Sequence, residues 1–327
     1  MPTTTTSDVL AIGGGIIGLS IAYEFASRGD SVTLLERSEP GREASWAGAG
    51  ILPPASWYSD HGALDTLAVA ATRHHAGLSQ RLLDETGIDD EYIACGAIYQ
   101  ETTDNENYLT EAFARWRQLG VVVERTDDDW HVTAEAQVRN PRRLCALLKA
   151  CEHLGVRIET GSPVERIRKD AHGRITSVES SGRSYSAAAY CFAAGAWTPA
   201  LVEAAGSLGH GRPIRGQMLL LQPTTNRLTR IVHRYPYYAV PRRDGRVLVG
   251  ATVEDAGFEK ATTEEAKREL LAAAVAIDPS LASARLERHW SGLRPASGDA
   301  LPLIGPMPGV GNAWLATGHH RCGLQLA

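Results

Sequence analysis

The sequence predicts an α/β protein of two lobes, one built on a nucleotide-binding type of βαβ unit and the other on a mixed or antiparallel sheet with helices. Three observations lead there. A glycine-punctuated strand–turn–helix–strand opens the chain, strand-length apolar runs then alternate with helical periodicities, and the last third is rich in alternating strands. At 327 residues with 43 % hydrophobic content, the chain exceeds the roughly 250 to 300 residues at which one core stops growing.

Residues 8–13, DVLAIG, read as a buried strand that runs into GGGIIGLSIAYEFASRG, where Gly13, Gly15 and Gly18 fall at GxGxxG spacing. Leu19, Ala22, Tyr23, Phe25 and Ala26 recur at helical spacing, Gly29 ends the helix, and SVTLLE forms a second strand. In this setting Gly13 permits a tight turn, Gly15 lets the backbone approach a pyrophosphate, and Gly18 lets helix and strand pack closely. The first amides of the helix then face an anion. Glu36, at the end of the second strand, is placed to accept hydrogen bonds from an adenosine ribose and disfavours a 2′-phosphate by charge repulsion. The next segment, PGREASWAGAGILPP, reads as a loop. Its small residues Ala44, Ser45, Ala47, Gly48, Ala49 and Gly50 let the backbone lie along an extended ligand, offering amides and one hydroxyl. A nicotinamide enzyme would continue through further βα units, whereas this chain passes into a polar helical stretch.

Helical periodicity fills 61–86 (Leu64, Leu67, Ala68, Ala71, Leu78, Leu82, Leu83), closed by Gly87. Residues 92–100, YIACGAIYQ, read as a strand and 105–119 as an amphipathic helix. Pro141 suits the first turn of the next helix and Gly155 its C-cap, after which strands resume in VRIETGSPVERIRKD. The run from Gly173 to Leu201 reads as a three-stranded meander whose last strand meets a small-residue turn at Ala194 and Gly195, back in the first lobe. PIRGQMLLLQ and YYAVPRRDGRVLVGATVED give alternating strands with RRDG as a hairpin turn, followed by a helix at 261–277. The threonine run at the start reads as a disordered tail.

A net charge of −5 without Lys/Arg blocks argues against a nucleic-acid or anionic-membrane partner. With neither a signal-like leader nor an apolar run near the roughly 20 residues of a membrane span, the expectation is a cytoplasmic protein. Five cysteines without a CxxC pair suggest neither a disulfide framework nor a zinc site, and Cys95, Cys145, Cys151 and Cys191 read as small buried hydrophobes. His319, His320, Arg321 and Cys322 look like a metal or nucleophile cluster, but successive residues of an extended turn point different ways, so no metal site is expected.

Five ordered motifs, IGGGIIGLSIAYEFASRGDSVTLLE, EASWAGAGILPP, YYAVPRRDGRVLVGATVED, WSGLRPASGDALPLIGPMPG and LATGHHRCG, resemble the FAD-dependent amine oxidases of the D-amino-acid oxidase (DAO) family. Within it the resemblance is greatest to the glycine oxidase group of thiamine biosynthesis. It implies a glutathione-reductase-like FAD-binding lobe assembled from 1–88, 140–211 and 296–327, and a substrate lobe from 89–139 and 212–295. It also implies FAD held non-covalently, since HWSGLRPASGD lacks the tethering cysteine of related sarcosine oxidases. Ile16, Ile17, Glu36, Arg37, Ala44, Ser45, Ala49, Gly50, Ile51 and Val164 fall on FAD-contacting positions, joined by Gly13, Gly15, Gly18 and Gly195. The resemblance further implies that backbone groups of His319, His320, Arg321, Cys322, Gly323, Leu324 and Gln325 wrap the flavin ring.

Arg294 falls on the arginine that binds the substrate carboxylate, with Arg321 as a second cation; a guanidinium fork matches a carboxylate bidentately and stays charged in a pocket. Tyr238 matches a pocket tyrosine, though adjacent Tyr237 faces the other side of the strand and leaves the choice open. The implied reaction removes a hydride from Cα of glycine, sarcosine or a small D-amino acid, giving an imine that hydrolyses to the 2-oxo acid while O2 becomes H2O2. No side chain is nominated as acid or base, because the cofactor carries the hard step. The alternatives are a quinone-linked D-amino-acid dehydrogenase, a sarcosine-oxidase-like enzyme, or a flavoprotein-like scaffold without turnover. Relatives read RNGILLAP where this chain has RCGLQLA and go on into a further helix, so weakened FAD retention is the expectation. A homo-oligomer is left open.

Overall fold

The structure, a computed structural model, describes residues 4–57, 62–207 and 211–327. Its first sheet runs in the order Leu303–Pro306, Ala313–Thr317, Arg183–Phe192, Thr4–Ile12, Val32–Leu35, Arg157–Glu159. The last five of these are parallel and the edge strand Leu303–Pro306 is antiparallel to its neighbour, while Ile175–Ser180 and Arg166–Lys169 add an antiparallel extension on Arg183–Phe192. Parallel strands buried on both faces need continuous apolar runs, which is why DVLAI shows no alternation. Val9, Ala11 and Leu34 pack beneath the helices Ile16–Ser27 and Asn140–His153, while Leu10, Ile12 and Leu35 join Tyr190 and Phe192 on the opposite face.

The second sheet runs Arg285–Ala296, Arg212–Gln222, Val247–Gly250, Tyr237–Pro241, Ile231–Arg234, Ala97–Gln100, Asp129–Val132, Val123–Arg125. It is antiparallel except where Ile231–Arg234 meets Ala97–Gln100. Here the period of two is visible. Leu219, Leu221, Val247 and Val249 pack on the helix Glu264–Ile277, whose start is capped by the Thr263 hydroxyl accepting from the Ala266 amide at 3.2 Å. Met218, Leu248 and Tyr99 face the other way, toward the helix Glu106–Gln118 and the space between the sheets.

Several sequence expectations change. Thr4 to Thr6 form no tail: they continue the first strand and pair with Ser184 to Ser186, because β-branched residues fit a pleated strand. The first three residues and position 61 lie outside the described residues. The glycine-rich loop contains a helical turn, Ala44–Ala47, and a short strand, Ile51–Leu52, paired with Ala136–Gln137. The 92–100 strand shrinks to Ala97–Gln100, since Gly96 turns with φ +70°. The run from Gly173 holds two strands, not three; Arg183–Phe192 is one continuous ten-residue strand, and the meander's other member is the earlier Arg166–Lys169. Of the four cysteines read as buried, only Cys151 is; Cys145 is exposed, and Cys95 and Cys191 are half-buried.

Candidate active site

A cavity of about 510 Å³ lies between the C-terminal ends of the parallel strands, at Ile12, Leu35 and Ala193, and the open face of the second sheet. Ligands of open parallel sheets bind at this end, because the strand-to-helix turns there leave amides unpaired. All the residues singled out from the sequence border this cavity except Gly18. Gly18 acts by packing instead: a Cβ there would lie 1.8 Å from the Gly13 carbonyl oxygen.

At one end the chain turns through Gly13 (φ +108°), where a Cβ would meet the Ala193 carbonyl oxygen at 2.6 Å, so the turn and the Ala193 strand end touch backbone to backbone. Glu36 stitches this turn, its two oxygens accepting from the amides of Gly14 (2.8 Å) and Ser38 (2.9 Å). The Ser45 hydroxyl, which the sequence offered to a ligand, accepts from the Ile16 amide at 2.9 Å and so caps the first helix. Arg37 stacks over Trp197 at 3.5 Å and donates to Glu43 at 2.7 Å, closing the flank where Val164 and Leu201 also lie.

The middle is floored by the Ala49–Gly50 backbone, and two residues missed by sequence reasoning hold it. Arg242 donates to the carbonyls of Ala49 (2.6 Å) and Val138 (3.0 Å), and burial lowers its pKa to about 10. Asn140 donates from Nδ2 to the Ser45 carbonyl at 2.8 Å, while its buried Oδ1 has no partner among the described residues. An unmet acceptor beside this cavity, glycines where Cβ atoms would intrude, and a helix N-terminus facing it fit an elongated, hydroxyl-bearing dinucleotide.

At the other end Arg294 enters from the strand Arg285–Ala296. Its guanidinium occupies space that exists only because residue 216 is glycine, since a Cβ there would fall 2.3 Å from Nη2. Its Nη1 donates to the Thr252 carbonyl at 3.0 Å. The Tyr237 hydroxyl bonds Glu269 on the covering helix, so Tyr238 is the tyrosine brought to Arg294. Burial raises the Tyr238 phenol, and Arg294 and Arg321 pull it partly back. Arg321 borders the cavity but is exposed.

His320 adopts φ +46°, donates its amide to the Pro295 carbonyl at 2.8 Å, and has its pKa lowered to about 4 by burial and by Arg294 and Arg321. Burial alone takes His319 to about 4, and burial raises the Cys322 thiol to about 12 against the opposing pull of Arg321. Among the described residues no three His, Cys, Asp or Glu side chains converge as metal ligands. Gln325 holds this turn, donating to the carbonyls of Pro53 (2.8 Å) and Ala55 (3.3 Å) while His75 Nε2 meets its own carbonyl at 2.9 Å. Beyond Tyr238 the wall is aromatic, and it includes a His233–Glu135–Tyr99 group that sequence reasoning also missed. An acidic residue within the otherwise strand-like WHVTAEAQV was the available signal.

Comparison with known proteins agrees with this geometry. Residues 8–327 match the family model described as FAD dependent oxidoreductase (DAO). The chain is 37 % identical to a glycine oxidase of Pseudomonas aeruginosa, over 98 % of this chain and 91 % of that protein. It is 33 % identical to a bifunctional protein ThiO/ThiG of Synechocystis, over 99 % of this chain and 50 % of that protein. The crystal structure of glycine oxidase from Geobacillus kaustophilus superposes with a TM-score of 0.93 at 27 % identity, covering 98 % of this chain and 91 % of that one.

Proposed function

The chain belongs to the FAD-dependent oxidoreductase (DAO) family, and we propose that within it this protein is a glycine-oxidase-type amino-acid oxidase. FAD is its cofactor. The reaction takes glycine, or a small relative such as sarcosine or a small D-amino acid, to the imine and by hydrolysis to the 2-oxo acid. O2 is reduced to H2O2, and the product serves thiamine biosynthesis in the cytoplasm. One observation carries the reading: a glycine-cradled Arg294 guanidinium stands beside Tyr238 at one end of a cavity whose other end is a glycine turn and a helix N-terminus. The sheets support a division into an FAD-binding lobe (1–88, 140–211, 296–327) and a substrate lobe (89–139, 212–295). No helix among the described residues is long and apolar enough to cross a membrane.

Bound non-covalently, FAD would supply a two-electron acceptor for the substrate Cα–H bond. The chain's own share is binding, orientation and dryness. In this reading the Gly13–Ile17 turn and the helix behind it hold the pyrophosphate, Glu36 receives a ribose, and the Ala44–Ile51 segment lies along the rest. Arg294 takes the substrate carboxylate in a bidentate grip, and its Thr252 bond limits how the fork can rotate. Tyr238, kept protonated by burial, offers its O–H to the same carboxylate. With His319 and His320 uncharged at neutral pH, the arginines alone supply positive charge there, so an anionic substrate end is oriented in one sense.

The test is to record the absorption spectrum of the purified protein, add glycine without air, and then admit air. Bleaching of a flavin spectrum followed by peroxide supports the oxidase. An unbleached spectrum refutes it, and bleaching without peroxide points to a dehydrogenase. Flavin that stays with acid-precipitated protein would overturn non-covalent binding.

A further inference from the structure

One rung of side chains crosses the second sheet along the cavity. In register, Met218 stands opposite Gly250, Gly250 opposite Tyr238, Tyr238 opposite His233, and His233 opposite Tyr99. Directly opposed residues share a face of a sheet, so His233 is the next side chain along the cavity wall from Tyr238, with ring centroids 6.1 Å apart.

The His233 ring stacks on Tyr99, centroids 4.2 Å apart and planes 3° from parallel. Both turn a polar group to Glu135, whose side chain is wholly buried: the Tyr99 hydroxyl donates to Oε2, and His233 Nε2 lies 2.7 Å from Oε1. A carboxylate only accepts, so Nε2 carries the hydrogen, and in the neutral ring Nδ1 is left as an acceptor. That nitrogen has no hydrogen-bond partner among the described residues, and His233 borders the cavity. Glu135 raises the Tyr99 phenol as burial does, so the hydroxyl remains a donor and the arrangement stays fixed. A buried carboxylate bound to two rings of a cavity wall costs desolvation that an apolar residue would avoid, which fits a group retained to orient a ring rather than to stabilise the sheet.

We propose that His233 is a substrate-positioning residue whose Nδ1 accepts a hydrogen bond from the amino group of a substrate anchored by its carboxylate on Arg294 and Tyr238. The assignment rests on the oxidase reading and deepens it by defining the class of amine. A primary or secondary amine, as in glycine or sarcosine, keeps an N–H to offer when neutral. A tertiary amine, as in N,N-dimethylglycine, has none and is selected against.

The experiment compares His233→Phe, which keeps a ring on Tyr99 but has no acceptor, and His233→Asn with the parent, each as flavin-loaded protein. Glycine KM is measured beside the dissociation constant of acetate, a carboxylate without an amine, read from its perturbation of the flavin spectrum. Loss of one hydrogen bond should raise glycine KM about 10-fold in His233→Phe, leave acetate affinity within about twofold, and narrow the preference for glycine over N,N-dimethylglycine. Should His233→Phe fail to retain flavin, the same comparison on His233→Leu, which also lacks an acceptor, decides, while His233→Asn, which keeps one, should retain more of the glycine affinity. Equal weakening of glycine and acetate, or no change in either, overturns the assignment. Failure of the parent protein to be reduced by glycine overturns instead the oxidase reading beneath it, before any variant is made.

Discussion

Replacing Gly216 with alanine tests how the fold sets the carboxylate anchor. The residue lies in the strand Arg212–Gln222 and has no left-handed φ, so an alanine fits the backbone there without strain. The new Cβ, however, would stand 2.3 Å from Arg294 Nη2 and 2.4 Å from Cζ and Nη1. Real Cβ atoms essentially never come closer than 3.0 Å and ordinary contact begins at 3.4 Å, so the guanidinium must retreat by about 1 Å. A shift of about 1 Å at a positioning group costs on the order of 100-fold in rate. That corresponds to about 2.7 kcal/mol, the worth of one or two charge-assisted hydrogen bonds. Because the displaced atoms are the tip of a flexible side chain, stability should change by less than about 1 kcal/mol, below the usual cost of overpacking a rigid core. The assay is peroxide-coupled kcat/KM for glycine, with flavin content and thermal midpoint measured in parallel. A Gly216→Ala protein with normal flavin content, normal melting and kcat/KM within about threefold of the parent would refute the cradle argument. A collapse of melting would show instead that the strand had moved.

Other consequences follow from buried groups. His75, His319 and His320 have pKa values lowered to about 4 from 6.5, so they stay neutral in the folded chain while their unfolded counterparts take protons below pH 6.5. Stability should therefore be full above that pH and fall as pH drops from 6.5 toward 4, by up to about 3 kcal/mol per histidine, as urea melts at pH 7.5 and 5 would record. A flat profile contradicts this. Arg143 and Asp90 form an ion pair in which each side chain is 1 % exposed, with Ser79 donating to the same carboxylate oxygen at 3.1 Å. Asp90→Ala strands the guanidinium and should cost about 3–5 kcal/mol in thermal or chemical unfolding; a loss below about 1 kcal/mol would show that water reaches it. Among the cysteines only Cys145 is exposed, and burial lifts the Cys151 and Cys322 thiols to about 12 and Cys191 to about 11. A thiol reagent at pH 8 should show one fast phase, abolished by Cys145→Ser, and rapid labelling of Cys322 in the native protein would contradict the burial.

What the residues revealed in advance was local. Glycine spacing around Gly13, helical periodicity from Leu64 to Leu83, and alternation through Met218–Leu221 each report geometry within a few residues. Errors arose where a local signal was real but a neighbour overruled it. Ile93 belongs to an apolar run yet makes only an isolated bridge to Gln137, because Gly96 turns the chain before pairing resumes. The Tyr237/Tyr238 choice could not be made from the strand alone, since it depends on Glu269 arriving from a helix 32 residues later. Asn140 and Arg242 were invisible for the same reason. They matter through carbonyls 95 and 193 residues away, and an asparagine at a helix start or an arginine in a hairpin has an ordinary local explanation. The His233–Glu135–Tyr99 group is likewise assembled from two strands and a turn that no sequence window spans.

The order of strands in the first sheet carries a last consequence. The opening strand pairs on one side with residues 184–192, and that strand in turn pairs with residues 313–315, so the cofactor end is closed by contacts spanning nearly the whole chain. A βαβ unit is often pictured as a portable module, yet here neither half of the polypeptide can enclose the ligand by itself. Contacts of such sequence separation form slowly, because loop closure must come before they contribute. Cofactor capture is therefore a late and global event: flavin becomes a ligand of the finished fold, raising its melting point by mass action, and cutting the chain into its apparent lobes should release it.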